Sequence, residues 1–121
     1  MDPDVVWRCL FGLALLLVVG CEDEGRPWTP PADGPVTWDA DIRPLMVRYC
    51  VSCHGVPAQF NAPTHFRLDE YDTRDGVAGA QAAAVRIRAR VFLQRTMPPG
   101  EPMPLRDRQA VDRWVRDGAP R

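Results

Sequence analysis

The sequence predicts a small all-α domain of three main helices joined by long connections. Three stretches repeat apolar residues at intervals of three and four positions, which is the pattern of a helix with one buried face. No stretch of any length alternates apolar and polar residues, as a half-buried β-strand would. The chain has 121 residues, which is enough for one such domain and too short for two.

The first helix is predicted around residues 42–49. Four apolar residues there share one face: Ile42, Leu45, Met46 and Tyr49. Asp39 or Asp41 is expected to cap this helix, because a carboxylate accepts hydrogen bonds from the unpaired amides of a first turn. Pro44 is compatible with the first turn, where the amide that proline lacks would have no helical partner.

The second helix is predicted around residues 79–91 and the last around residues 105–117. One face of the second helix carries four apolar residues: Ala80, Ala84, Ile87 and Val91. One face of the last helix carries another four: Ala110, Val111, Trp114 and Val115. Gly118 follows directly and is expected to end the last helix, as glycine commonly does.

The first 20 residues are predicted to be a bacterial signal peptide. Residues 9–19 are almost all apolar and follow Arg8, but they fall short of the roughly 20 residues that a membrane span needs. The run ends in V-V-G-C at residues 18–21, which resembles the lipobox of bacterial lipoproteins, where the cysteine is lipidated. We therefore expect a lipid anchor at Cys21, on either the inner or the outer membrane. The alternative is an ordinary signal peptide that leaves Cys21 as a spare thiol.

Residues 21–37 are predicted to be a tether that precedes the domain. Residues 22–36 include four prolines and few apolar residues, which favours an extended chain. The alternative is that this stretch packs along the domain surface through Trp28. The folded domain is then expected over residues 38–121.

The first helix leads directly into Cys50-Val51-Ser52-Cys53-His54, which has the C-x-x-C-H spacing of c-type haem attachment. Two thiols about one helical turn apart can add to the two vinyl groups on one edge of a haem. The residue that follows then places an imidazole on the iron. We therefore expect one covalent haem c, held by Cys50 and Cys53, with His54 as the proximal iron ligand.

The same residues also fit three other kinds of site. A dithiol–disulfide redox pair has this cysteine spacing, although it is usually found in a βαβ unit. A zinc site needs about four ligands, and His65 is the further strong candidate nearby. A structural disulfide would use the two cysteines and would need no histidine.

The distal iron ligand is expected in the loop before the last helix. Met97 stands in T-M-P-P-G, 43 residues after His54, and the two prolines stiffen the loop that carries its thioether. Ligation by His and Met raises the iron potential relative to bis-His ligation, which suits electron transfer. Met103 and His65 are rival distal ligands, and an open sixth position is a further alternative. Met46, and Met97 itself, are also candidates for filling the hydrophobic core.

These features together resemble a small monohaem cytochrome c of the class I type, and are similar to the cytochrome c domains of planctomycetes and myxobacteria. The resemblance covers about residues 38–120. Its elements are D-I-R-P-L at 41–45, C-V-S-C-H-G at 50–55, F-R-L-D at 66–69, M-P-P at 97–99 and W-V-R-D-G-A at 114–119. It implies that Met97 is the distal ligand and that the first and last helices cross near the haem edge at Tyr49 and Trp114. The chain departs from the family at P-L-R-D, residues 104–107, where a capping residue is usual.

Composition and charge restrict the partners. The net charge of −1 excludes a polybasic nucleic-acid binder, and all 15 basic residues are arginine, which excludes lysine nucleophiles. Residues 21–75 hold 10 acidic residues and 5 arginines, whereas residues 86–121 hold 9 arginines and 4 acidic residues. This separation of negative and positive charge along the chain predicts that electrostatic attraction orients the protein on a redox partner. The alternative is that the arginines, including Arg86 and Arg90 on one helix face, are solvated or pair with carboxylates of Asp residues or of the haem.

The expected function is electron transfer by a membrane-tethered cytochrome c in the bacterial cell envelope, facing the periplasm. Redox proteins are the expected partners, the lipid anchor is the expected membrane contact, and no enzymatic activity is expected. The alternative is a haem-based sensor or a peroxidase-like protein with an open or labile sixth site. A third possibility is a lipoprotein without haem, with a structural or zinc-binding role.

Overall fold

The computed structural model describes residue 29 and residues 34–121, and this part of the chain is all-α, as the sequence predicts. It contains four α-helices: α1 (Arg43–Tyr49), α2 (Val51–His54), α3 (Ala80–Arg88) and α4 (Leu105–Arg116). Extended pairing within the described residues is limited to two isolated bridges, Phe66 with Ala78 and Arg74 with Val77. The predicted signal peptide, the predicted lipidation site Cys21 and most of the predicted tether lie outside these residues.

The first helix begins earlier than its apolar pattern predicts. A π-helical turn over Trp38–Ile42 precedes α1, and Thr37 caps it by accepting a hydrogen bond from the Ala40 amide at 3.3 Å. The Asp41 carboxylate in turn accepts from the Thr37 amide at 2.8 Å. The predicted cap at Asp39 or Asp41 is therefore wrong, because Asp41 supports the capping residue and does not occupy its position. Proline stands in the first turn of α1, as expected.

The two other predicted helices have the buried faces that their patterns indicate. A π-helical turn, Ala89–Leu93, continues α3, and the four predicted apolar residues of that face are all buried. On α4, Ala110, Val111 and Trp114 are buried, and Gly118 adopts a φ of +91° directly after the helix. That left-handed conformation favours glycine and ends the helix. No side chain caps the start of α4, where Pro104 precedes it.

The first and last helical segments pack together at both ends of their interface. Near one end, the rings of Trp38 and Trp114 lie 5.9 Å apart between centroids, and both residues donate to the Pro120 carbonyl. Near the other end, the Tyr49 hydroxyl donates to the Asp107 carboxylate at 2.8 Å. Tyr49 and Trp114 therefore both lie between the first and last helical segments, but at opposite ends of the interface.

Tight packing begins before residue 38. Val36 is only 1% exposed and belongs to the hydrophobic core, so the last residues of the predicted tether are part of the folded domain. None of the described helices has both the length and the apolar character that crossing a membrane requires.

Charged residues fix the rotation of α3 against α4. The Arg88 guanidinium donates to the Asp112 carboxylate at 2.6 Å, and Asp112 is 8% exposed, with Arg116 at 3.5 Å as a second partner. Because Arg88 faces α4, the residues two positions before and after it face away from that contact. This rotation places Arg86 of α3, and Arg90 of the π-helical turn that continues it, on the side that lines a cavity.

Candidate cofactor site

The C-x-x-C-H motif forms a single helical turn at the end of the first helix. The Cys50 amide still donates to the Met46 carbonyl, at 2.9 Å, so the turn continues directly from α1. The Cys53 and His54 amides both donate to the Cys50 carbonyl, at 3.1 and 2.8 Å. The two thiols and the imidazole are thus presented from one short rigid segment.

The two cysteines are free thiols in unequal surroundings. Cys50 is buried, whereas Cys53 is half-buried. Burial, and secondarily the neighbouring Cys53, raise the pKa of the Cys50 thiol to about 12. Reactive thiols of redox pairs have a pKa lowered toward or below neutrality, so Cys50 lacks the character of a dithiol oxidoreductase nucleophile.

His54 is held by the connection that follows α2. Its ring stacks on Phe66 with 5.0 Å between centroids and 24° between planes, and its carbonyl accepts from the Leu68 amide at 2.8 Å. Burial lowers the pKa of the imidazole, which favours the neutral form that binds metals. The ring nitrogen Nδ1 is buried and has no hydrogen-bond partner among the described residues. Buried polar atoms are normally satisfied, so this nitrogen is an exception within the described residues.

A cavity of about 640 Å³ opens beside the motif. Its size lies within the roughly 300–1,000 Å³ range of small-molecule pockets. Cys50, Cys53 and His54 form one part of its wall, and Met97 forms another. The remaining wall comes from α3, from the connection after α2 and from neighbouring positions, and it includes Tyr49, Phe60, Asn61, Ala62, Pro63, Phe66, Leu68, Ala83, Arg86, Ile87, Arg90, Val91, Pro98 and Pro99.

Met97 is brought to this cavity by the way that the second long helix ends. The Thr96 and Met97 amides both turn back to the Arg90 carbonyl, at 2.9 and 3.4 Å. Arg95 makes the reversal possible by adopting a left-handed φ of +56°. The backbone therefore anchors the methionine loop to the π-helical turn that continues α3, and Met97 is half-buried against the core.

The structure separates Met97 from its rivals. Met103 is 1% exposed and Met46 is fully buried, and both belong to the core and do not line the cavity. His65 is exposed and also absent from the cavity wall. Its Nε2 lies 3.0 Å from the Arg86 guanidinium. Within the described residues, no group of three or more His, Cys, Asp or Glu side chains is arranged to hold a metal ion.

Two features of the site were not foreseen from the sequence. Phe66, in the connection after α2, stacks on the imidazole of His54. The residues adjacent to either one in the sequence do not predict this contact. Ala83 leaves room for the cavity because its side chain is a single methyl group. The spacing of Arg86 and Arg90 was visible in the sequence, but their place in the cavity wall depends on how α3 is rotated.

No protein-family model, no curated protein and no solved structure matches the chain. A proposal for the function therefore depends on the geometry of the cavity and on the chemistry of the residues that line it.

Proposed function

We propose that this chain is a monohaem c-type cytochrome that carries electrons in the bacterial cell envelope, tethered to the membrane by a lipid at Cys21. The observation that carries the proposal is that one cavity is lined by Cys50, Cys53, His54 and Met97. The two thiols would form the thioether bonds to the haem, and the imidazole and the methionine sulfur would ligate its iron.

The residues present fit such a group. The cavity has the volume of a small-molecule site, and most of its wall is apolar, as a hydrophobic macrocycle requires. His54 offers a buried ring nitrogen that no described residue satisfies, and burial keeps the imidazole neutral. Cys50 and Cys53 would hold the haem covalently, while His54 and Met97 would ligate its iron.

Haem iron bound by histidine and methionine supplies reversible one-electron chemistry at a relatively high potential. The protein's contribution is to hold the ligands and to exclude water. Phe66 fixes the plane of the His54 ring by stacking, and the Arg90 carbonyl fixes the Met97 loop through two amides. A ligand set held by packing and by backbone bonds favours electron transfer over substrate turnover, because neither ligand needs to leave.

Among the described residues that line the cavity there is no Asp or Glu, and the one histidine is His54, the expected proximal ligand. The described wall therefore offers no carboxylate and no second histidine as a general acid or base. This composition supports a carrier over a peroxidase-like protein. Redox proteins of the cell envelope are the proposed partners, with the opposite charges of the two chain halves orienting the encounter.

The distal ligand is tested by a matched pair of substitutions, Met97→Leu and Met103→Leu. Leucine replaces methionine with little change of volume, so the change in packing should cost neither variant more than about 1.5 kcal/mol. We expect visible spectra of purified holoprotein to show low-spin haem in the wild type and in Met103→Leu. Met97→Leu should show high-spin haem and a lower potential, because its iron loses the sulfur ligand.

The outcomes separate the alternatives. An unchanged spectrum in Met97→Leu would eliminate Met97 as the distal ligand. Loss of the low-spin spectrum in Met103→Leu alone would transfer the assignment to Met103. A high-spin wild type that binds carbon monoxide rapidly would replace the carrier with a sensor or a peroxidase-like protein.

A further inference from the structure

The loop that carries Met97 is held at both of its ends. At the first end, the Thr96 and Met97 amides donate to the Arg90 carbonyl in the π-helical turn that continues α3. At the second end, Met103 is 1% exposed, and its carbonyl accepts a hydrogen bond from the Arg108 guanidinium at 2.8 Å. Arg108 lies in the first turn of α4, so the position of that turn sets the position of the second end of the loop.

The first turn of α4 is bound to the end of α1 by a side-chain hydrogen bond. The Tyr49 hydroxyl donates to the Asp107 carboxylate at 2.8 Å, and both residues are half-buried. A hydrogen bond with an ionised acceptor is stronger than one between neutral groups. The ion pair between Arg88 and Asp112 and the ring contact of Trp114 hold α4 one to two turns further along, and therefore further from the methionine loop.

Tyr49 stands directly beside the C-x-x-C-H motif. Its ring lines the cavity, and Cys50 is the next residue of the chain. The Arg48 guanidinium lies over this ring, 5.3 Å from its centroid, which is a favourable cation–π distance. The hydrogen bond to Asp107 therefore links the segment that presents the two thiols and the imidazole to the helical turn that holds the loop of Met97.

Resting on the proposed function, we propose that Tyr49 and Asp107 are positioning residues that keep Met97 on the haem iron. Their hydrogen bond fixes the first turn of α4 relative to the motif, and Met103 transmits that position to the loop. Neither side chain has to touch the iron for this effect. Without the hydrogen bond, the loop can move away from the motif, and the iron is without its sulfur ligand in a larger fraction of the molecules.

Binding of added imidazole measures this fraction. Imidazole competes with the methionine sulfur for the sixth position of the oxidised iron. The apparent affinity of a ligand is proportional to the fraction of the protein in which its site is open. A loosened loop therefore raises the apparent affinity for imidazole, whereas a loss of stability elsewhere in the domain leaves that affinity unchanged.

The experiment titrates imidazole into oxidised holoprotein, made from the full chain in a bacterium with cytochrome c maturation enzymes, and follows the visible spectrum. Tyr49→Phe removes only the hydroxyl. The matched control, Tyr71→Phe, removes a hydroxyl that donates to the Ala119 carbonyl, also at 2.8 Å, from a residue that does not line the cavity. Asp107→Ala removes the acceptor, whereas Asp107→Asn keeps one, because an amide oxygen also accepts hydrogen bonds.

The expected results divide the four variants into two pairs. Tyr49→Phe and Asp107→Ala should bind imidazole about tenfold more tightly than the wild type, which is the scale of one lost hydrogen bond to a charged group. Tyr71→Phe and Asp107→Asn should stay within about threefold of the wild type.

The outcomes distinguish this role from the proposed function. If the wild type contains no covalent haem, the proposed function is overturned and the positioning role with it. If the wild type contains haem that Met97 ligates, and Tyr49→Phe binds imidazole no more tightly than Tyr71→Phe, the positioning role alone is overturned. Equal imidazole affinities in Asp107→Ala and Asp107→Asn would overturn it as well. Should Tyr49→Phe fail to accumulate, the two Asp107 variants decide the question by this comparison.

Discussion

The cavity face of α3 offers a sharp test, because two adjacent alanines of this helix have opposite surroundings. Ala83 is 8% exposed and lines the cavity, whereas Ala82 is exposed to solvent. Ala83→Leu sends an isopropyl group into the space that we assign to the haem. Ala82→Leu makes the same chemical change on the outer face.

The expected magnitudes follow from these positions. Alanine and leucine have similar helix propensities, so the backbone contributes only a few tenths of a kcal/mol to either change. The exposed Ala82→Leu should alter the free energy of unfolding by no more than about 0.5 kcal/mol. If haem occupies the cavity as proposed, Ala83→Leu overfills it, and overpacking of this kind costs about 1–3 kcal/mol. The difference between the unfolding free energies of the two variants therefore reports whether the cavity is filled.

Guanidinium denaturation of purified holoprotein, followed by circular dichroism and by haem absorbance, measures this difference. Haem content per chain is determined in parallel. We expect Ala83→Leu to lose stability, haem content or both relative to Ala82→Leu. Equal unfolding free energies and equal haem contents in the two variants would refute the assignment of the haem to this cavity.

Three further predictions concern the frame around the site. Trp114→Ala should lower the free energy of unfolding by about 3–5 kcal/mol in chemical denaturation, because the side chain is fully buried; a loss below 1 kcal/mol would contradict its place in the core. Gly79→Ala should cost about 1–3 kcal/mol, since an added Cβ would collide with the carbonyl oxygens of Tyr71 and Asp72; wild-type stability would show that this backbone does not approach Gly79 so closely. Hydrogen bonding from Arg67 lowers the pKa of Asp69, so ionised Asp69 stabilises the fold at neutral pH and this contribution disappears as the pH falls through the lowered pKa. Acid unfolding of Asp69→Asn should accordingly be less steep than that of the wild type, and identical profiles would exclude the effect.

The helices were largely readable from the sequence because their apolar spacing is local. Ala110, Val111 and Trp114 lie three and four positions apart, and all three are buried where the pattern places them. The start of the first helix was not readable in the same way. Thr37 caps it and its amide donates to Asp41, and only the last residue of the added π-helical turn, Ile42, belongs to the apolar pattern of the first helix.

The candidate site also combines residues that local sequence predicts with residues that only the tertiary structure brings together. The C-x-x-C-H motif consists of consecutive residues, so its three candidate side chains could be predicted without a structure. Choosing between Met97 and Met103 required tertiary information, because both stand in one proline-rich loop and only the fold puts one at the cavity and the other in the core. The support of His54 by Phe66 likewise depends on how the connection after α2 folds back.

The rotation of α3, and of the π-helical turn that continues it, explains why the arginines of this segment have different surroundings. The spacing of Arg86 and Arg90 predicts a shared face, but a sequence gives no means of telling a solvated face from a cavity wall. The ion pair between Arg88 and the buried Asp112 distinguishes these cases by directing Arg88 toward α4. Truncating either partner of that pair would leave a charge in a half-buried interface and would disturb the cavity indirectly.

The central claim is that Cys50 and Cys53 hold one haem covalently. The most direct measurement is the intact mass of the purified protein, made with cytochrome c maturation enzymes, together with its visible spectrum before and after extraction with acidified organic solvent. We expect the mass of one haem to be added to the chain, and the haem to stay with the protein after extraction. The double variant Cys50→Ser/Cys53→Ser should lack both signals. A wild-type chain with no added mass, or one whose haem is extracted completely, would contradict the account.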